Sequence, residues 1–495
     1  MSNGSRLPTR LGRRLGRHAA PLPSARLALC GPALVIVLAL ALLPAAAGRA
    51  ATSIVYAQHP CTMVYNAPSG SARPLTQLMG GNELTQVGAQ RAADGTSWAH
   101  VKLWSGLDAY VPAADVSTAF PGDTGEGTCT FLDLPDTQPD PLLPSPGPWP
   151  LAVSGTLIVP TAVLATPSRD AFPIAAAELG RPVQITAWAA ESDGTPWYQV
   201  AVTGGSGWVR ASAVRLDQPN PADRAVNGVP LAHTVAGKGM SLFKNYLPHH
   251  SDVEALVQAA TLAGLTHLYT EVAISVGDLG FYARSTLDRL LPVAHAAGIK
   301  VIATVYPALD DVATDARLTA EVAHYRTPTN DQVDGIAMDV EAVTTADAVY
   351  AYGQLVRALV GPDRLMVALV FHPLSHVDYP YGAIAASWNV ISPMDYWYSD
   401  VSRKYAPADT VRFVTTSITT IRAAVGPEMP IEELGQTYVE DRRYSDGVAP
   451  TNAPTASETI ADLQTARRLG CIGISFYSWQ AATQAEWQAV TDTHW

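Results

Sequence analysis

Eight short apolar runs alternate with amphipathic stretches between Gly237 and the C-terminal residue, and very few folds accept that pattern. The apolar runs begin at Gly239, His267, Val301, Gly335, Met366, Val390, Ile431 and Ile472. Between them lie stretches of helical spacing, among them 251–262, 285–297, 346–359, 409–424 and 457–469. Near-continuous apolar runs suit strands covered on both faces, and parallel strands need a crossover, usually helical, between them. The punctuation agrees: Ser251, Asp252 and Glu254 make a helix start, while Gly264, Gly298, Gly361 and Gly470 stand where helices end. Eight strand–helix units predict a (β/α)8 TIM barrel over 231–495. A doubly wound sheet also alternates, but no Gly-x-Gly-x-x-Gly follows the first strand.

The sequence before the barrel repeats itself. Asp94-Gly95-Thr96-Ser97-Trp98, followed by Val101, Gly106, Tyr110, Val111 and Val116, returns as Asp193-Gly194-Thr195-Pro196-Trp197, followed by Val200, Gly207, Trp208, Val209 and Val214. An Asp-Gly turn between alternating apolar positions is a hairpin signal. Each copy is expected to form a small all-β barrel of five or six strands, at 54–118 and 153–217, with Trp98 and Trp197 in the cores. The segment 119–152 between them is expected to be a linker, because its Pro-rich part, 134–149, holds neither helix nor central strand.

Charge and cysteine usage narrow the function classes. A net charge of -12 argues against nucleic acid, whose phosphates need a basic surface. Arg6, Arg10, Arg13, Arg14, Arg17 and Arg26 precede an apolar run over 27–47 that ends in small residues. Residues 1–51 therefore read as a signal peptide or an uncleaved N-terminal membrane anchor, and the protein as extracellular or held at the cell surface. In that oxidising setting Cys61 and Cys129 can pair as a disulfide, and Cys471 reads as a lone buried thiol. No Cys-x-x-Cys spacing occurs, and the adjacent His249 and His250 point apart on a strand, so no metal site is expected.

The barrel's expected strand ends carry the chemistry. In order they offer Ser241 and Lys244, Glu271, Tyr306, Asp339 with Glu341, His372, Met394 through Tyr398, Gln436 with Tyr438, and Tyr477 with Trp479. Strand alternation puts Asp339 and Glu341 on one face. Paired carboxylates flanked by Tyr and Trp suit a sugar cleft, where aromatic faces stack on pyranose rings and carboxylates bind hydroxyls. The competing explanations are acids that cap the next helix and aromatics that pack loops. Glu432 and Glu433, at the start of strand seven, belong to the opposite end of the barrel.

Asp334-Gly335-Ile336-x-x-Asp339-x-Glu341 resembles the strand-four signature of family 18 glycoside hydrolases, the chitinases and related N-acetylglucosaminidases. Met394-x-Tyr396 is similar to the start of their Met-x-Tyr-Asp element, and Gly473 through Ser478 to their last strand. The chain departs from that pattern at Ala337 and Trp397, where the family has Asp, and at Tyr477, where it has Trp. The repeated segments resemble bacterial SH3-type domains, a combination similar to cell-wall and spore-cortex hydrolases. The resemblance implies an exported hydrolase acting on a polysaccharide or peptidoglycan-type glycan without a cofactor. It implies Glu341 as general acid, Asp339 as stabiliser of the intermediate and Tyr396 as donor to an acetamido carbonyl. Glu271, Tyr306, Asp395, Trp397, Gln436, Tyr438, Tyr477 and Trp479 are expected to bind substrate, with Glu271 or Asp395 as second carboxylate if the sugar has no acetamide. The alternative is a glycan-binding barrel that has lost its chemistry.

Overall fold

A computed structural model describes residues 52–121, 148–191, 195–202, 204–217, 224–226, 228–242, 247, 252–342, 345–398, 404–438 and 454–495. The expected export segment, Cys129, most of the Pro-rich linker, the second Asp-Gly turn, Lys244 and the pair His249-His250 lie outside the described residues.

The eight barrel strands are β1 Gly237–Leu242, β2 His267–Ile274, β3 Lys300–Tyr306, β4 Gly335–Asp339, β5 Leu365–Phe371, β6 Val390–Met394, β7 Glu432–Gln436 and β8 Gly473–Tyr477. All pair in parallel with their neighbours, and β1 bonds both β2 and β8, so the sheet closes on itself. Their covering helices are α1 Val253–Leu262, α2 Arg284–Ala296, α3 Val312–His324, α4 Ala346–Val360, α5 Tyr381–Ala385, α6 Pro407–Val425, α7 Ala456–Arg468 and α8 Gln484–Asp492. A two-residue antiparallel strand, Gly280–Phe281, adds to the outer end of β2. No helix among the described residues is long and apolar enough to cross a membrane.

Alternation along each strand sorts the barrel interior into layers. Near the N-terminal ends, Glu432 turns inward and is fully buried. It accepts from Ser475 Oγ at 2.7 Å, lies 2.8 Å from His267 Nε2 and takes the Tyr269 hydroxyl on its other oxygen. Gly239 faces this knot at close range: a Cβ there would come within 2.2 Å of both His267 Nε2 and Ser475 Oγ. Above lies an apolar floor that includes Ile302, Ala337, Leu369, Met394 and Leu434. Asp334, just before β4, is tied to that same lower end by His295, Lys300 and the Val301 N–H. It is structural, remote from the strand end that carries Asp339.

The two repeats form seven-stranded antiparallel sheets rather than five or six strands. The first runs from Ser53–Ala57 to Val116–Ser117 and the second from Trp149–Leu157 to Val214–Leu216. Numbered within each repeat, both have the strand order 3-2-6-5-4-1-7. Each adds its seventh strand after a 3-10 turn, at Ala113–Asp115 and at Ala211–Ala213, which the motif spacing did not reveal. The second sheet starts inside the segment read as linker, because Trp149 pairs with Trp188 and their rings meet tilted with centroids 4.3 Å apart. Trp98 and Trp197 are buried, and Cys61 is disulfide-bonded.

Glu432→Ala strands His267, Tyr269 and Ser475 in the closed interior and is expected to lower stability by about 3 kcal/mol or more. Gly239→Ala forces a methyl into the same space, with an expected loss of about 1–3 kcal/mol. Urea unfolding midpoints of the two variants measure both losses.

Candidate active site

A cavity of about 520 Å³ opens at the C-terminal ends of the strands. Its wall includes Glu271 from β2, Asp339 from β4 and Glu341 two residues beyond, with Tyr396, Tyr438 and Tyr477 from the ends of β6, β7 and β8. Ser241, Thr304, Phe371, His372, Ser375 and His376 complete much of the rim. Both carboxylates of the Asp-x-Glu pair therefore reach one space, as β4 alternation dictates.

The end of β4 is pinned from two sides. The Val340 N–H donates to Leu369 O at 3.1 Å, and the buried Tyr379 hydroxyl donates to Val340 O at 2.7 Å. The peptide between the two acids is thereby fixed, and with it the direction of both side chains. Asp339 lies well above the usual carboxylate range, because burial is reinforced by the charges of Glu341 and Glu271. Its Oδ1 is buried without a hydrogen-bond partner. Tyr306 is not among the lining residues, yet its phenol is pushed up to about 12 by burial and by Glu341, Asp339 and Glu271. Glu341 and Glu271 thus act on Asp339 beside a space walled in part by aromatic rings.

The tyrosines form their own cluster. Tyr396 meets Tyr438 edge-on with centroids 5.2 Å apart, and Tyr438 meets Tyr477 likewise at 5.6 Å. Such edge-to-face packing holds each ring by its neighbours. On the β5 side, His376 stacks on Phe371 with centroids 3.7 Å apart, and His372 is pushed down to about 4 by burial and His376. His372 is therefore a neutral imidazole at physiological pH.

Five expected binding residues do not line the cavity, Tyr306 among them. Asp395 is fully buried, because on β6 and just past it Met394 and Tyr396 take the inward face and the residue between them points outward. It lies behind the barrel wall beside Ser417 of α6 and Glu433 of β7. Trp397, 1% exposed, packs with Tyr398, Tyr405 and Phe413, and its indole N–H reaches Glu458. Gln436 is occupied in bracketing the Tyr398 backbone, accepting from its N–H at 2.8 Å and donating to its carbonyl. Trp479, 7% exposed, joins the main core and meets Trp487 edge-on at 4.5 Å. Glu271, Tyr396, Tyr438 and Tyr477 do line the cavity with Asp339 and Glu341.

Tyr379 and Tyr282 carry no strand-end signal in the sequence. Tyr379 sits in the loop after β5, and Tyr282 follows a strand too short to have a period. The Tyr282 hydroxyl donates to Glu271 Oε1 at 2.6 Å, and burial with the Glu271 charge keeps that phenol protonated. Among the described residues no group of three or more His, Cys, Asp or Glu is arranged to hold a metal ion.

The chain's sequence matches no protein-family model and no curated protein. Among solved structures it is similar to the Bacillus cereus spore cortex-lytic enzyme SleL, at TM-score 0.38 and 11% identity over 52% of this chain and 75% of that one. A family 18 chitinase from Cycas revoluta in complex with allosamidin matches at 0.38 and 13%, over 52% and 99% of the two chains. A chitinase from Chromobacterium violaceum matches at 0.39 and 12%, over 52% and 98%. Likenesses at this level leave the functional assignment to the chain's own residues.

Asp395, Glu433 and Asp462 form a second acidic group, sealed between β7 and the helices. Burial raises all three, Asp395 to about 8. A carboxyl raised on folding stabilises fully below its unfolded value, and that contribution is lost as pH rises towards the folded value. The Asp395 contribution is therefore fully present at acidic pH and is lost between about pH 4 and about pH 8. Asp395→Asn is expected to flatten the dependence, gaining on wild type at pH 8. Thermal midpoints of both proteins at pH 5 and pH 8 measure it.

Proposed function

We propose that the barrel is an exported glycoside hydrolase acting on a cell-wall or other extracellular glycan. The observation that carries this reading is the convergence of Asp339, Glu341 and Glu271 on one aromatic-walled cavity. Asp339 is raised by burial and, beyond that, by the like charges of Glu341 and Glu271. Holding its proton more tightly is the direction of change that acid catalysis of glycosidic cleavage uses.

In this mechanism Glu341 protonates the leaving glycosidic oxygen. Asp339 stabilises the positive charge that develops at the sugar, and the Tyr396 hydroxyl donates to the carbonyl of an acetamido group as that oxygen attacks the anomeric carbon. A sugar without an acetamide needs a protein carboxylate in that place. Glu271 is then the second carboxylate, since Asp395 has no access to the cavity. The tyrosine cluster supplies stacking faces for the rings on either side of the bond. We read the two β-sheet repeats as SH3-type modules and residues 1–51 as the export segment or anchor. The N-terminal mass of protein recovered from the medium or from membranes tests the latter.

A second reading has two observations in its favour. Ala337 is packed into the apolar floor beneath Asp339, and Trp397 is turned into the core. Both replace carboxylates of the pattern the chain resembles, as expected for a barrel kept for glycan binding alone.

One experiment separates the two. Wild type and Glu341→Gln are compared on a panel of fluorogenic glycosides, chitin and purified peptidoglycan. Loss of the proton donor is expected to lower turnover by about 10²–10⁴-fold with glycan retention preserved. Glycan retention without turnover in either protein establishes the binding barrel instead.

A further inference from the structure

The first β-sheet repeat is fastened to the loop that follows β2, the strand that carries Glu271. The Glu83 N–H donates to Tyr282 O at 3.0 Å, across the junction between repeat and barrel. The Glu83 carboxylate accepts from Arg284 Nη1 at 3.3 Å and from Ser285 Oγ at 2.9 Å. A few residues earlier, Asp278 takes the Ser105 N–H at 2.7 Å and the Ser105 hydroxyl as well. Gly280, at φ +61°, lies flat against Trp104, where a Cβ would come within 2.0 Å of the indole. Leu279 packs against the cores of both the repeat and the barrel.

This loop carries Tyr282, whose hydroxyl orients the Glu271 carboxyl inside the cavity. A bolt of charged hydrogen bonds, a close glycine contact and a shared apolar side chain is more than a tether needs. We propose that the first β-sheet repeat is part of the active-site scaffold: through Glu83 it holds the 276–285 loop, and through Tyr282 it positions Glu271. Glu83 and Tyr282 are positioning residues in this scheme, which rests on the glycosidase reading of the cavity. The second repeat is attached elsewhere, with the Leu216 N–H donating to Gln354 of α4, so the two copies differ in role.

The test uses the full chain and the variants Glu83→Ala, Glu83→Gln and Tyr282→Phe. Hydrogen exchange of 276–285 in Glu83→Ala is expected to rise about tenfold, since two side-chain hydrogen bonds to a carboxylate are lost. Its kcat on the glycan that wild type cleaves is expected to fall about tenfold, with KM within about twofold. Glu83→Gln keeps acceptor oxygen at that position and is expected to recover most of both effects. Tyr282→Phe is expected to lower kcat to a similar degree without raising exchange in the loop. Unchanged exchange in Glu83→Ala overturns the clamp, and raised exchange with unchanged kcat in both Glu83→Ala and Tyr282→Phe overturns the positioning role. If wild type cleaves no glycan, the glycosidase reading fails by itself. Loop exchange in Glu83→Ala then decides the clamp alone.

Discussion

The double pairing of β1, with β2 on one side and β8 on the other, is the constraint from which the rest follows. Closure removes both sheet edges and leaves one face of every strand inside. It also collects eight C-terminal strand ends into a single mouth, so groups far apart in sequence must meet there. Glu271 and Tyr477 are more than two hundred residues apart in the chain and line the same cavity. The interior knot of Glu432, His267, Tyr269 and Ser475 joins β2, β7 and β8 from within, immediately beneath the strand pairs that make the closure. A polar knot is tolerated in the core because its members satisfy one another.

Once the sheet is closed, a shift of one residue along a strand decides what faces the cavity. Met394 and Tyr396 look inward, whereas Asp395 between them looks into the helical layer. The same rule splits neighbouring acids on β7: Glu432 serves the interior and Glu433 the space behind the wall. Aromatics just past the strand ends escape this rule. Trp397 and Trp479 lie where the chain has left the ladder, and helix packing rather than alternation settles their direction.

Legibility in the sequence followed the same division. Where a residue belonged to a regular ladder, its period could be read: the barrel, its strand ends and the shared face of Asp339 and Glu341 all follow from alternation. The repeat was legible because Asp-Gly turns and Gly-aromatic-Val strands recur, and the shared strand order bears that out. The seventh strand of each sheet was not, since two or three residues after a 3-10 turn carry no period. Tyr379 and Tyr282 were invisible for a related reason. Each acts through a single hydroxyl projected from a loop, and only the fold decides which carbonyl or carboxylate that hydroxyl meets.

Perturbed titration by itself would have nominated two sites in this molecule. Asp339 at the mouth and the trio of Asp395, Glu433 and Asp462 behind the wall are all raised, with burial first among the causes. The difference between them is access. The trio is enclosed by β7 and by α6 and α7, so its protons exchange with bulk solvent only when the packing opens. Asp339 is raised also by Glu341 and Glu271, and all three line an open cavity together with Tyr396, Tyr438 and Tyr477. Burial alone therefore marks where folding depends on pH. Burial joined to a cavity and to a second carboxylate marks where a bound molecule can be given a proton.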